Sequence, residues 1–187
     1  MNAQIDAAIK VLKEGGIILY PTDTIWGLGC DATNEEAVEK IYRIKRRSDN
    51  KSLIVLAANI DMVCKYVKQI PQIAISLMEV NDKPMTIIYP GAIGLAKNVI
   101  AQDGTVGIRV PQNDFCKNLI TRFHRPIVST SANLSGAPAP VYYEDISEDI
   151  LGTADFIVDP EFEEAATHHA SQIIKVGLRN EVEIIRE

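Results

Sequence analysis

The chain has 187 residues, 47% of them hydrophobic, with a formal net charge of -6 and a pI of about 5.1. That length and apolar share suit one domain with a sizeable core. The absence of an uncharged apolar run of about 18 residues excludes an expected membrane span, and the acidic balance argues against bulk electrostatic capture of nucleic acid. Charges interrupt the apolar positions of MNAQIDAAIKVLKEGG, which makes it a poor signal peptide. The three cysteines, Cys30, Cys64 and Cys116, form no C-x-x-C pair. Free thiols in a reducing, cytoplasmic setting are expected.

In chain order, Ile5, Ala8, Ile9 and Leu12 recur at helical spacing, and Gly15–Gly16 end that helix. GIILY reads as a buried strand. Gly27, Gly29 and Ala32 then spell G-x-G-x-x-A. A dinucleotide turn follows its strand almost at once and opens a helix. Here Pro21 and five further residues intervene, so a plain glycine-assisted turn competes with that reading. Asn34 is a candidate N-cap, with Glu35 and Glu36 favourable near the positive helix end. Ala37, Val38, Ile41 and Tyr42 carry the helix into the basic cluster KRRSDNK, residues 45–51. Residues 53–57 form a strand, and residues 60–80 read as two short helices separated by Pro71. MTIIY, TVGIRV and PIVST are further strands, with a helix from Asn113 to Arg122 between the last two. DFIVD, SQIIKV and VEIIR close the chain as short strands. The pattern predicts an α/β fold: one domain over residues 1–187, with a mixed sheet flanked by helices. It leaves the strand order open.

Four loops at strand ends are rich in hydroxyls, glycine or positive charge: PTDTIWGLG, KRRSDNKS, GTVGIRVP and STSANLSG. Such loops converge on ligand crevices in α/β sheets. No Walker A motif is present, so a nucleotide needs another phosphate cradle. Lys45 and Arg47 could supply one, since cations match phosphate oxygens; a solvated surface charge run is the competing reading. In STSAN, Ser129, Ser131 and Asn133 could bond phosphate or sugar, or simply form an Asx- or Ser/Thr-type turn. A serine nucleophile is weakly supported, because G-x-S-x-G is absent. The histidines, His124 and His168–His169, lack zinc-type spacing. Arg109 lies between Ile108 and Val110 in an apolar strand. A buried guanidinium there needs an anion, either a structural Asp or Glu or a carboxylate ligand.

Taken together, YPTDTIWGLGCDATNEEAVEKIYRIKRR, TVGIRVP, SANLSGAPAP and the closing SQIIKV…EIIRE resemble the YrdC-like threonylcarbamoyl-AMP synthases over about Gly16 to Glu187. The resemblance implies a twisted α/β sheet around a deep, positively lined cavity. It implies that L-threonine, bicarbonate or CO2, and ATP give threonylcarbamoyl-AMP and pyrophosphate. Downstream threonylcarbamoyl-transfer proteins would then modify adenosine in tRNA. By position, Thr22, Arg109, Ser129 and Ser171 match threonine-side residues. Lys45, Arg47, Thr105, Ser131, Asn133 and Arg186 match nucleotide-side residues, and Lys45 and Arg47 are the catalytic candidates. Mg2+ is expected with ATP, phosphates being its usual ligands.

There are departures from the family pattern. Ser48 and Ser52 stand where prolines are usual, Lys51 where a histidine or asparagine is common, and Ala139 where a serine is common. PGAIG lacks the second proline of PGP. The chain is expected to be of the short branch without an extra C-terminal domain. Two alternatives accompany this reading. One is a double-stranded-RNA or ribosome-binding module, supported by the basic cluster but opposed by the acidic balance and few aromatics. The other is a carbamoyl-transfer domain like that of hydrogenase maturation factors, which lies within longer chains bearing zinc fingers.

Overall fold

The first helix, α1 (Asn2–Lys13), buries Ile5, Ala8 and Leu12 along one face. This is the apolar stripe that its spacing predicts. The computed structural model describes residues 1–46, 53–163 and 166–187. Arg47 and the departures at Ser48, Lys51 and Ser52 therefore fall outside the described residues. After α1 come β1 (Ile18–Tyr20), β2 (Gly27–Gly29), α2 (Glu35–Lys45), β3 (Ile54–Leu56), α3 (Ile60–Tyr66) and α4 (Gln72–Val80). They are followed by β4 (Met85–Tyr89), β5 (Val106–Arg109), α5 (Asp114–Phe123), β6 (Ile127–Ser131), α6 (Glu148–Leu151), β7 (Phe156–Ile157), β8 (Gln172–Val176) and β9 (Val182–Arg186). Asn34 caps α2 as expected, its side chain accepting from the Ala37 amide. Asn59 and Asn113 cap α3 and α5 in the same way. Among the described residues no helix is long and apolar enough to cross a membrane.

Among the described residues one nine-stranded sheet runs in the order β7-β1-β2-β6-β3-β5-β4-β8-β9. It is mixed: β1 with β7, β3 with β5 and β4 with β8 are parallel, and the other neighbours are antiparallel. Buried side chains from strands and helices form a continuous apolar core in which Trp26, Tyr20, Tyr89 and Phe115 are the bulkiest of the fully buried members.

The stretch GLG is a strand rather than a glycine turn. A Cβ on Gly29 would meet the Val128 carbonyl oxygen at 2.5 Å and the Tyr20 ring at 2.7 Å. Glycine therefore serves close backbone approach between β2 and β6, not a pyrophosphate. The shortness of β2 hid it from periodicity. Of the predicted strand DFIVD, only Phe156 and Ile157 pair, along β1.

Two strands deserve their register. Thr86 on β4 lies opposite Arg109 on β5, and Ile87 lies opposite Ile108. Because side chains alternate along a strand, Thr86 and Arg109 share one face of the sheet. Ile87 and Ile108 share the other.

Candidate active site

A cavity of about 360 Å³ opens on the Arg109 face. Its walls come from the turn between β1 and β2 (Thr24 to Gly27), from Leu53 and Ile54, and from Ser129 to Ser131 on β6. Ser171, Ile173 and Arg186 of the C-terminal hairpin complete it, with Ala139 at the loop after β6. The only charged residues lining it, among those described, are Arg109 and Arg186. A lining of two cations and several hydroxyls, with no carboxylate, favours an anion.

Arg109 is 4% exposed. Its Nη1 donates to Asp23 Oδ1 at 2.7 Å and to Thr24 Oγ1 at 3.1 Å. The remaining oxygen of Asp23 accepts from the Gln112 amide at 3.0 Å. Nε of Arg109 is buried without a partner. Of the two anions that Arg109 could seek, the structural one is present, yet it occupies one prong of the fork. The arginine is thus held rigidly and keeps donor capacity in reserve.

Arg186 is anchored by Nε and Nη2 donating to the Ser171 carbonyl at 3.0 and 2.7 Å. Burial, and then the like charge of Arg109, lower its pKa. Two guanidiniums that repel each other across a cavity gain from an anion placed between them. The Ser171 hydroxyl shares a hydrogen bond with Thr86 Oγ1 at 2.8 Å. That bond ties the C-terminal hairpin to β4 beside Arg109.

At Lys45 the solvated-surface reading of the basic cluster fails: the residue is 2% exposed. Its Nζ donates to the Ser131 carbonyl at 2.6 Å and to Asn133 Oδ1 at 2.8 Å, and it also contacts Ser131 Oγ at 3.3 Å and the Asn133 carbonyl. The ammonium fastens the turn that follows β6. Ser131 lines the cavity, while Asn133 lies behind it, bonded to Ser131 Oγ and donating to the Ala137 carbonyl. The Asx-turn reading and the ligand reading of STSAN therefore divide between these two residues.

Two further candidates fall outside the cavity lining. Thr22 is buried, its hydroxyl donating to the Ile25 carbonyl at 2.7 Å and accepting from the Thr24 amide at 3.1 Å. It staples the turn that presents Thr24, and Thr24 is the residue facing the cavity. Thr105 caps Asp103 through its hydroxyl at 2.6 Å. It precedes β5 at the end opposite Arg109, about 13 Å away at the usual strand rise. Asp23, Thr24 and Trp26 went unnamed in the sequence reasoning. The signal for Asp23 was there: a strand arginine that needs an anion, and one acid in PTDT.

The Sua5/YciO/YrdC family model, described as Telomere recombination, matches residues 10–187. The chain belongs to this family. A threonylcarbamoyl-AMP synthase of Pseudoalteromonas translucida is 40% identical over 138 residues, covering 72% of this chain and 74% of that one. The crystal structure of Pyrococcus abyssi Sua5 complexed with L-threonine superposes with a TM-score of 0.82 at 29% identity. That match covers 92% of this chain and 50% of the larger protein, so the chain spans about half the length of that structure. Full-length HypF in a phosphate- and nucleotide-bound form shares the fold at a TM-score of 0.81 and 24% identity, over 98% of this chain and 28% of that one.

Proposed function

We propose that this chain is a threonylcarbamoyl-AMP synthase acting as a nucleotidyltransferase. The observation that carries the reading is the pair of guanidiniums, Arg109 and Arg186, converging on a cavity lined by Thr24, Ser129, Ser131 and Ser171 and free of carboxylates among the described residues. The family membership and the synthases among its relatives support it.

Threonine's carboxylate would take the unused donors of Arg109, with Asp23 keeping that side chain fixed. A hydroxyl such as that of Ser129 or Thr24 would meet the threonine side chain. The neutral amine adds to CO2, losing a proton, to give a carbamate. A carbamate oxygen then attacks the α-phosphorus of ATP, the bond to the β-phosphate bridging oxygen breaks, and pyrophosphate leaves. Positioning and charge neutralisation supply the catalysis. Ser131 and Arg186 are the nucleotide-side groups that line the cavity. Lys45 acts here as a positioning residue that holds Ser131 and Asn133, and Arg47 remains a phosphate-side candidate.

Among the described residues no three or more His, Cys, Asp or Glu side chains cluster as a metal cage. Mg2+ arriving on the triphosphate would take phosphate oxygens and water as its ligands and need few from the protein. Mg2+ held there would contribute charge neutralisation on the pyrophosphate.

The test is pyrophosphate release with ATP and Mg2+, with threonine and bicarbonate each present or omitted. Release that needs both supports the synthase. Release indifferent to them sinks it. Duplex RNA binding has less support, since the buried Lys45 is withdrawn from the cationic surface that a polyanion would need.

A further inference from the structure

The strands that carry Arg109 and Thr86 toward the first cavity present their alternate side chains to a second one. This cavity, of about 200 Å³, lies on the opposite face of the sheet. Met85, Ile87 and Tyr89 of β4, with Ile108 and Val110 at β5, form an apolar floor. Lys83 and Lys117 stand on its lining, one before β4 and one on α5. Among the described residues neither is ion-paired, and no Asp or Glu lines the cavity. An apolar floor under two cations selects a small ligand with an apolar body and one negative charge. Asn81 and Gln112 add polar groups at the rim, while the volume is small for a nucleotide.

A chain of two hydrogen bonds links the linings of the two cavities. Val110, Pro111 and Gln112 line the second cavity. The backbone amide of Gln112 donates to Asp23 Oδ2, and Asp23 Oδ1 accepts from Arg109 Nη1, which lines the first. A ligand packed against Val110–Gln112 bears on the loop whose amide fixes Asp23, and Asp23 in turn fixes Arg109. The Asp23–Arg109 ion pair is buried, its bond 2.7 Å long, so a shift of Asp23 changes the position of Arg109 in a low-dielectric setting.

We propose that this second cavity binds small amphipathic monocarboxylates and is coupled to the Arg109 cavity through Gln112 and Asp23. Binding is independent of the synthase reading. An effect on threonine affinity rests on it.

The probe is phenylacetate, titrated into the full chain by NMR in the absence of threonine and nucleotide. Binding should perturb the methyl signals of Met85 and Ile108 and, through the relay, the Arg109 guanidinium signals. The double variant Lys83→Glu, Lys117→Glu should lose at least tenfold in phenylacetate affinity and gain binding of phenethylamine, whose charge is reversed. The phenethylamine arm also shows that the variant is folded. No binding to the parent, or equal phenylacetate affinity in the double variant, overturns the site. An Arg109 signal that stays fixed at phenylacetate saturation overturns the coupling, whether or not threonine binds. Where threonine does bind, each ligand should shift the other's affinity by the same factor, because coupling is reciprocal. Simple displacement of phenylacetate by threonine would put the probe in the first cavity and overturn the proposal.

Discussion

Replacing Lys45 by methionine tests whether the cation at the end of α2 builds the site or merely decorates it. Methionine keeps an unbranched chain in the buried position while removing the ammonium. The structure loses donation to the Ser131 carbonyl at 2.6 Å and to Asn133 Oδ1 at 2.8 Å, besides contacts to Ser131 Oγ and the Asn133 carbonyl. Each charge-assisted bond contributes about 1.5–3 kcal/mol. Freedom from desolvating the ammonium offsets part of that loss, leaving a net destabilisation of about 3 kcal/mol. For a chain of this size about 1 kcal/mol moves the melting point by about 2–4 °C, so a fall of about 6–12 °C is expected. Circular-dichroism melts of parent and variant, without ligand, measure it. Calorimetric titration should also show weaker ATP binding, because Ser131 and Asn133 lose their anchor. A surface lysine would give a change within about 0.5 kcal/mol. A melting point within about 2 °C of the parent would therefore refute the buried, positioning role.

Arg109→Lys keeps a positive charge beside Asp23 but loses the planar fork. The fold should survive while the threonine half-saturation point in pyrophosphate release rises about tenfold or more, the worth of one charge-assisted bond. Valine should be a poor substrate against threonine in the same assay, because hydroxyls set to meet the side-chain oxygen would be left unpaired. Burial pushes the thiols of Cys30 and Cys116 up, whereas Cys64 is exposed, so a thiol reagent near pH 8 should label Cys64 promptly and the other two only after unfolding. The Thr105 hydroxyl and amide hold the Asp103 carboxyl at about 2, below its ordinary 3.8. The folded pKa is depressed, so this contribution to stability is full above about pH 4 and fades as pH falls toward 2. Thr105→Val should move the Asp103 titration upward in an NMR pH series; an unmoved titration would show that the hydroxyl is not its cause.

The sequence by itself determined the local pieces. Apolar periodicity and the cap at Asn34 placed α1 and α2, and α5 was expected near Asn113 to Arg122, because helical spacing and capping are short-range effects. Linked motifs along the chain carried the family, and Arg109 announced its need for an anion from its apolar neighbours alone. What the tertiary structure decided was which partners those residues meet. Asp23 and Arg109 stand 86 residues apart in sequence, as do Lys45 and Ser131. No local pattern encodes such pairings. The same holds for β2, whose three residues are too few to show a period and which exists because β1 and β6 lie on either side of it. Thr22 and Thr24 are indistinguishable as neighbours in PTDT. Only the turn's own hydrogen bonds turn Thr22 inward and leave Thr24 on the cavity. Burial made the same decision for Lys45, since a cation at a helix end reads as a surface charge until the turn after β6 folds over it.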